Sequence, residues 1–424
     1  MLSRNVWGIL LVIAATLAVI LVGKFSQSPI SESGGFGWDG SVYHEMAVDL
    51  AEQKPLVGPI APFIYRVGVP WLVAEFFPQN MLDGFFCINA VFACAASLFL
   101  FLLMDGVIVS GRIKALVILL FVTHWQNPAR YIAHYPAYVD PAMIAFALAG
   151  LCVLRAIRNN SVSRLLLLVL FCVITVLGTL CRETFFIVAV AALFSGNHFS
   201  AGTPLFLSFR SVLKNDAILC LPVLLSMATI AATHYAIPVS DPHNYYDTTL
   251  VWLYKKGLGQ ILYSAFMSFG LFIPWIIYFR RVSLRFFARN QEVACFLFGC
   301  CAIAYLGGSD TNRFFSWASP VLCLLCGAIL DRIEKQGVAF WSVFSLFMVG
   351  QALANRLFLL VPDSTDKGSP VMLLTPLANH FDYSLVLPEY ASVPVASTIV
   401  LQWIVVSAIF YVLLDFIKIH SEPD

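Results

Sequence analysis

Residues 165–194, LLLLVLFCVITVLGTLCRETFFIVAVAALF, hold one charged pair, Arg182-Glu183, in an otherwise uncharged run. An α-helix rises about 1.5 Å per residue, so a hydrocarbon layer of about 30 Å is crossed by roughly 20 apolar residues. The run is too long for one ordinary crossing, and the pair divides it in two. Charges are costly inside the hydrocarbon, so Arg182-Glu183 is expected at the tip of a hairpin on one membrane face.

The rest of the chain repeats this pattern. Of 424 residues, 60% are hydrophobic and 12% charged, whereas soluble domains are roughly half apolar. Repeated runs of near-spanning length fit helices, and the short alternating segments of a membrane β-barrel are absent from the sequence. Candidate spans fall at 6–23, 85–104, 114–125, 136–154, 165–180, 183–195, 216–237, 257–279, 293–307, 314–330, 338–360 and 396–417. Segments 114–125 and 183–195 are short for a full crossing and read as tilted, broken or re-entrant. The expected fold class is an all-α polytopic membrane protein with about 12 transmembrane helices, within a range of about 10–13. It forms a single integral domain over 1–424, with a large first extracytoplasmic loop at 24–84. A second such loop, 361–395, is punctuated by Pro362, Pro370, Pro376, Pro388 and Pro394.

Positively charged short loops stay cytoplasmic. If the spans alternate, Arg4, Arg112, Lys114, Arg155, Arg158, Arg164, Arg210, Lys214, Arg280, Arg281, Arg285, Arg289, Arg332, Lys335 and Lys418 share one side. Asp39, Glu183 and Asp310 fall on the other, and both termini read as cytoplasmic. The first segment has the basic start of a signal peptide but no small-residue cleavage site after Val22, so it reads as an uncleaved anchor. A net charge of +1 leaves no basic footprint for nucleic acid. The 11 cysteines sit almost entirely in apolar runs, and Cys323-x-x-Cys326 has no second pair, so no metal is expected from them.

Charged and polar groups that recur at span ends on one side suggest a shared site. They are Asp39, Arg66, Arg130, His134, Asp140, Arg182, Glu183, Asp310, Arg313 and Arg356. Asp39 precedes an amphipathic stretch, Tyr43 to Glu52, and glycines 34, 35, 37 and 40 let the backbone turn into it. Asp39 reads either as a helix cap or as a reactive carboxylate. Glu45, Asp49 and Glu52 share the wet face of an interfacial helix. Arg66, framed by Tyr65, Pro70 and Trp71, has a fork of donors suited to phosphate, or it snorkels to head groups as an anchor. Asp140-Pro141 opens a span, where Asp140 caps the helix or takes Arg130 or His134 as partner. Arg182-Glu183 reads as a self-satisfied pair or as two site residues. Gly308 and Asn312 read as turn residues, Arg313 suits an anionic head group, and Arg356, near the outer end of its span, reads as lining the shared cavity.

The stretches Trp38-Asp39-Gly40-x-x-Tyr43, Tyr65-Arg66 with Pro70-Trp71, Asp140-Pro141, Arg182-Glu183, and Asp310 with Arg313 together resemble the GT-C superfamily of multispanning glycosyltransferases. The first is similar to the mannosyltransferase branch that uses polyprenyl- or dolichyl-phosphate sugars. The resemblance implies sugar transfer from a polyprenyl-phosphate donor to a glycan or lipid acceptor on the outer face. Asp39 matches the family's first-loop acid and would deprotonate the acceptor hydroxyl, with Tyr43 beside it. Arg66, Arg182, Arg313 or Arg356 would offset charge on the departing phosphate.

The chain departs from that family in lacking an Asp-x-Asp or Glu-Asp pair in the first loop, which favours a metal-free inverting mechanism without a cofactor. A C-terminal soluble domain is also missing from the sequence, so glycolipid or envelope polysaccharide is the expected product and the compact bacterial members the expected kin. Two other readings fit parts of the pattern. A transporter or lipid flippase would use intramembrane charges near the midplane. A polysaccharide polymerase or ligase would place its largest outer loop later in the chain.

Overall fold

The computed structural model describes residues 2–57, 61–124, 126–159, 163–195, 211–212, 214, 216–240, 244–308, 310–337, 339–355 and 393–421. Its first half runs α1 (Leu2–Ser26), α2 (Trp38–Ala51), α3 (Gly68–Phe76), α4 (Met81–Met104), α5 (Gly111–Thr123), α6 (Pro128–His134), α7 (Asp140–Arg158), α8 (Arg164–Cys181) and α9 (Phe186–Ala191). There follow α10 (Leu221–Ala236), α11 (Tyr245–Lys255), α12 (Leu258–Phe269), α13 (Phe272–Tyr278), α14 (Arg280–Arg289), α15 (Gln291–Leu306), α16 (Thr311–Ser316), α17 (Ser319–Lys335), α18 (Phe340–Asn355) and α19 (Val393–Ser421). No strand occurs among the described residues. Arg356 and positions 361–392 of the expected second outer loop lie outside them. The last three residues assigned to that loop already belong to α19.

Among the described residues, five helices are long and apolar enough to cross a membrane: α1, α4, α7, α8, and α10 with the 3-10 turn before it. A bent pair, α12 with α13, makes six. Apolar helices at Glu183–Phe194, Gln291–Leu306, Phe340–Ala352 and Trp403–Ile417 are shorter. The expected span at 314–330 is divided into α16 and α17, because Pro320 occupies the first turn of α17 and lacks the amide to continue a helix through it. On α8, Leu166, Val169, Leu170, Val173 and Leu177 form an exposed apolar stripe. Acyl chains, not water, suit such a surface.

Helix α7 is the axis of the first half, with 83% of its apolar window buried. It packs between α4 and α8. Ala142, Ala145, Ala147 and Ala149 let neighbouring backbones approach closely, as small residues do where lipid supplies no hydrophobic drive between helices. Helices α4 and α7 run in the same direction: Asn89 Nδ2 donates to the Pro136 carbonyl at 2.8 Å near their starts, and Arg155 donates to the Leu103 carbonyl near their ends.

Charged groups therefore separate to two ends. One end joins the close of α1 to the start of α4 through Lys24–Asp83 and collects the starts of α2 and α7. The other end carries Arg112–Glu334, Lys114–Asp105, Arg158–Glu292 and Lys335–Asp331.

The apolar run 257–279 turns through 89° between α12 and α13. Gly270 sits there at φ +51, a conformation that a Cβ would strain. Backbone groups released by the turn find side-chain partners. Gln351 Oε1 accepts from the Leu271 amide at 2.7 Å, its Nε2 donates to the Phe269 carbonyl at 3.2 Å, and Trp403 Nε1 donates to the Gly270 carbonyl at 3.1 Å. Such repair is what a non-helical residue at membrane depth requires.

Candidate functional site

Asp39 is set by the glycines before it. Gly37, at φ +74, caps α2, and a Cβ there would meet the Tyr135 ring at 2.6 Å. The Gly40 amide donates to Tyr135 Oη at 3.0 Å. The helix thus begins pressed against Tyr135, with Asp39 inside its first turn. Asp39 makes no side-chain cap bond, so the cap reading of this residue is corrected: Gly37 already holds that position. Val42, Tyr43, Met46 and Ala47 bury one face of α2 while Glu45 and Glu52 stay exposed.

Asp140 begins α7 and is fully buried, and its carboxylate does not cap the helix either. Arg182 Nη1 donates to its Oδ1, and Oδ2 accepts from Arg313 Nε at 3.1 Å and Trp317 Nε1 at 2.7 Å. The expected partners Arg130 and His134 do not reach it. Arg130 Nη1 donates to the Thr123 carbonyl at 3.3 Å, and the His134 carbonyl accepts from the Ile30 amide at 2.7 Å while its ring meets Tyr131 edge-on. Both lie on α6, which packs against α1 and α4 instead.

Arg182 is extended, with φ −162 and ψ 127, so successive side chains leave on opposite sides. This overturns the self-satisfied pair. Arg182 turns to Asp140, while Glu183 receives both prongs of Arg66, Nε at 2.8 Å and Nη2 at 2.6 Å. The third Arg66 nitrogen, Nη1, donates to Tyr43 Oη at 2.8 Å. Gly68 makes the arrangement possible, because a Cβ there would stand 2.7 Å from Cys181 Sγ and 3.2 Å from its backbone nitrogen. Burial alone would lower the pKa of Arg66, but the Glu183 carboxylate and Tyr43 raise it above the ordinary value. Burial raises that of Tyr43, which stays a neutral phenol.

Arg313, on α16, is the hub. Its Nη1 donates to Asp310 Oδ2 at 2.7 Å, and Nη1 and Nη2 both reach Asp39 Oδ2 at 3.2 Å. With Nε on Asp140, three aspartates close on one guanidinium. The Tyr138 ring lies 5.3 Å from Arg313, and Trp317 lies 4.6 Å from Arg182. Burial raises the Asp310 pKa above the ordinary value, and Arg313 pulls back part of that shift. Among the described residues no cluster of three or more His, Cys, Asp and Glu side chains could hold a metal ion.

Asp39, Tyr43, Arg66, Asp140, Arg182, Glu183, Asp310 and Arg313 thus form one network at one end of the helices. Several atoms of this network stay uncommitted among the described residues, Asp310 Oδ1 among them. Asp39 Oδ1 makes no hydrogen bond, on a side chain 17% exposed. Arg182 Nε, on a residue 2% exposed, has no partner. The site also contains Trp317 and the tyrosines 131, 135 and 138, which the sequence reading left out. The signal for the tyrosines is their spacing of four and three residues, which stacks them beside α2, with Trp38 meeting Tyr135 edge-on at 5.8 Å.

No family model matches the chain, and searches of curated proteins and of solved structures returned no match.

Proposed function

We propose that this protein is a membrane glycosyltransferase that moves a sugar from a polyprenyl-phosphate donor to a glycan or lipid acceptor at the extracytoplasmic face. Asp39 takes the proton of the acceptor hydroxyl, the oxygen attacks the anomeric carbon, and the bond to the phosphate oxygen breaks with inversion. Polyprenyl phosphate leaves carrying the electron pair. The observation that carries this reading is the state of Asp39: one oxygen is oriented by Arg313 and the other is uncommitted and part-exposed. A base needs that combination of fixed direction and access. The unpaired Nε of Arg182 and the shared fork of Arg313 supply donors for a developing phosphate charge. The resemblance of Trp38-Asp39-Gly40-x-x-Tyr43 to the mannosyltransferase branch of the GT-C superfamily supports the same assignment.

The reading includes about twelve spans, cytoplasmic termini and a bacterial inner membrane. Basic pairs at the end opposite Asp39 support this sidedness. The test supplies purified protein with polyprenyl-phosphate sugars and a membrane lipid extract. Asp39→Asn is expected to lose about 10²–10⁴ in transfer rate at unchanged fold. Full transfer by that variant rules out the base role.

One observation favours a second reading, a transporter or lipid flippase: the 89° break at Gly270, since discontinuous helices commonly form transport sites. Gln351 and Trp403 already occupy the polar groups at that break, which weighs against a substrate there. Movement of labelled lipid-linked sugar across sealed vesicles without covalent transfer would select this alternative.

A further inference from the structure

A second group of charges lies at the end opposite Asp39. A cavity of about 780 Å³ opens where α13, α14, α17 and α19 meet, and Arg280, Arg281, Arg285, Arg332, Tyr411 and Asp415 contribute to its wall. Arg281 and Arg285 stand one turn apart on α14, held down by buried Ser283 and Phe286, and Arg332 comes from the last turn of α17. Like charges at this spacing repel along a helix. None of these four arginine side chains makes an ion pair or hydrogen bond among the described residues, whereas Arg112, Arg158 and Lys335 at the same end each hold a carboxylate. The acid in the wall, Asp415, accepts from Tyr278 Oη at 2.5 Å. The pocket thus carries a clear excess of positive charge.

Its level along the helices is informative. The bent apolar run ends at Tyr278, the apolar part of α19 ends at Ile417, and α18 begins at Phe340. Apolar segments stop here together, at the depth where head groups meet hydrocarbon. Tyr278 and Tyr411 stack with centroids 5.8 Å apart, and Tyr411 Oη donates to the Pro274 carbonyl at 2.9 Å, the placement of an interfacial aromatic belt. Ile277, Val343 and Leu414 give the same cavity an apolar side.

We infer that this pocket binds an anionic membrane phospholipid, with its phosphate among the four guanidiniums and its glycerol and upper acyl carbons along Ile277, Val343 and Leu414. Arginine forks match phosphate oxygens, and basic pockets between membrane helices suit anionic head groups. A soluble phosphate would use the arginines and leave the apolar side unused. The site is separate from the Asp39 network and does not depend on the proposed reaction.

The experiment is native mass spectrometry of the full chain after exchange into micelles doped with phosphatidylglycerol or phosphatidylcholine, with inorganic phosphate as a competitor. Phosphatidylglycerol is expected to be retained at least about tenfold over phosphatidylcholine, and the triple variant Arg281→Gln, Arg285→Gln, Arg332→Gln is expected to lose that preference. The corresponding triple lysine variant should keep most of it. Equal retention of the two lipids overturns the inference, as does unchanged preference in the glutamine variant or full displacement by inorganic phosphate. The three arginines are exposed, so the glutamine variant should fold; if it does not, the wild-type preference decides alone.

Discussion

Arg182 and Glu183 are neighbours in the chain and serve different partners: Arg182 donates to Asp140 at the start of α7, and Glu183 accepts the fork of Arg66 ahead of α3. One extended residue thereby links α2, α3, α7 and α8. Asp140 is the most exacting member, since it accepts from Arg182, Arg313 and Trp317 at once. Asp140→Ala strands the Arg182 guanidinium and an indole N–H while Arg313 keeps Asp39 and Asp310, and a loss of about 3–5 kcal/mol follows. Thermal unfolding in detergent measures it, and an unchanged midpoint would remove Asp140 from the structural core of the site.

Arg66 and Glu183 form a forked pair with Tyr43 attached, so their effects should not add. Each alanine substitution leaves its partner charged and poorly solvated and is expected to cost about 3–5 kcal/mol. Removing both leaves nothing stranded but the Tyr43 hydroxyl. A double-mutant cycle should therefore show coupling of about 1–3 kcal/mol, and strict additivity would contradict the geometry.

Gly68 stands against the end of α8, closer to Cys181 than a side chain tolerates. Gly68→Val pushes α3 from α8 and pulls Arg66 off Glu183, at a cost of about 1–3 kcal/mol or more. Gly259, which has open space around it, is the comparison: Gly259→Ala should be neutral or stabilise by up to about 1 kcal/mol. Equal midpoints for the two variants would mean that the contact at Cys181 does not matter.

Asp310 gives the network a pH dependence whose sign is fixed by its raised pKa. The folded chain binds this proton more readily than the unfolded chain, so the contribution is fully present below the ordinary carboxylate value of about 3.9 and is lost as pH rises through the raised one. Asp310→Asn removes that dependence. Relative to wild type, the variant should gain stability as pH rises above the ordinary carboxylate value of about 3.9, followed by thermal unfolding at each pH. A constant difference between the two would show that Asp310 titrates ordinarily.

The membership of this network was legible from sequence because charges at span ends were sorted by side, and Asp39, Arg66, Asp140, Arg182, Glu183, Asp310 and Arg313 all sorted together. Their pairing was not, because it turns on one extended residue and on a close approach at Gly68. Trp317 carries no signal of its role in the sequence, because an indole N–H seeking an acceptor has the same signature as any core tryptophan. Helix α2 begins ahead of the amphipathic stretch that starts at Tyr43, because Gly37, not Asp39, takes the cap position. The run 257–279 read as one span for a related reason: hydropathy does not register a glycine whose φ is positive.

That glycine carries a mechanical consequence. Unbending the corner at Gly270 would strip Phe269, Gly270 and Leu271 of three hydrogen bonds together, in surroundings with no solvent to replace them. The two arms therefore travel as a rigid elbow pinned to α18 by Gln351 and to α19 by Trp403, and any displacement of one arm must drag both of those helices with it.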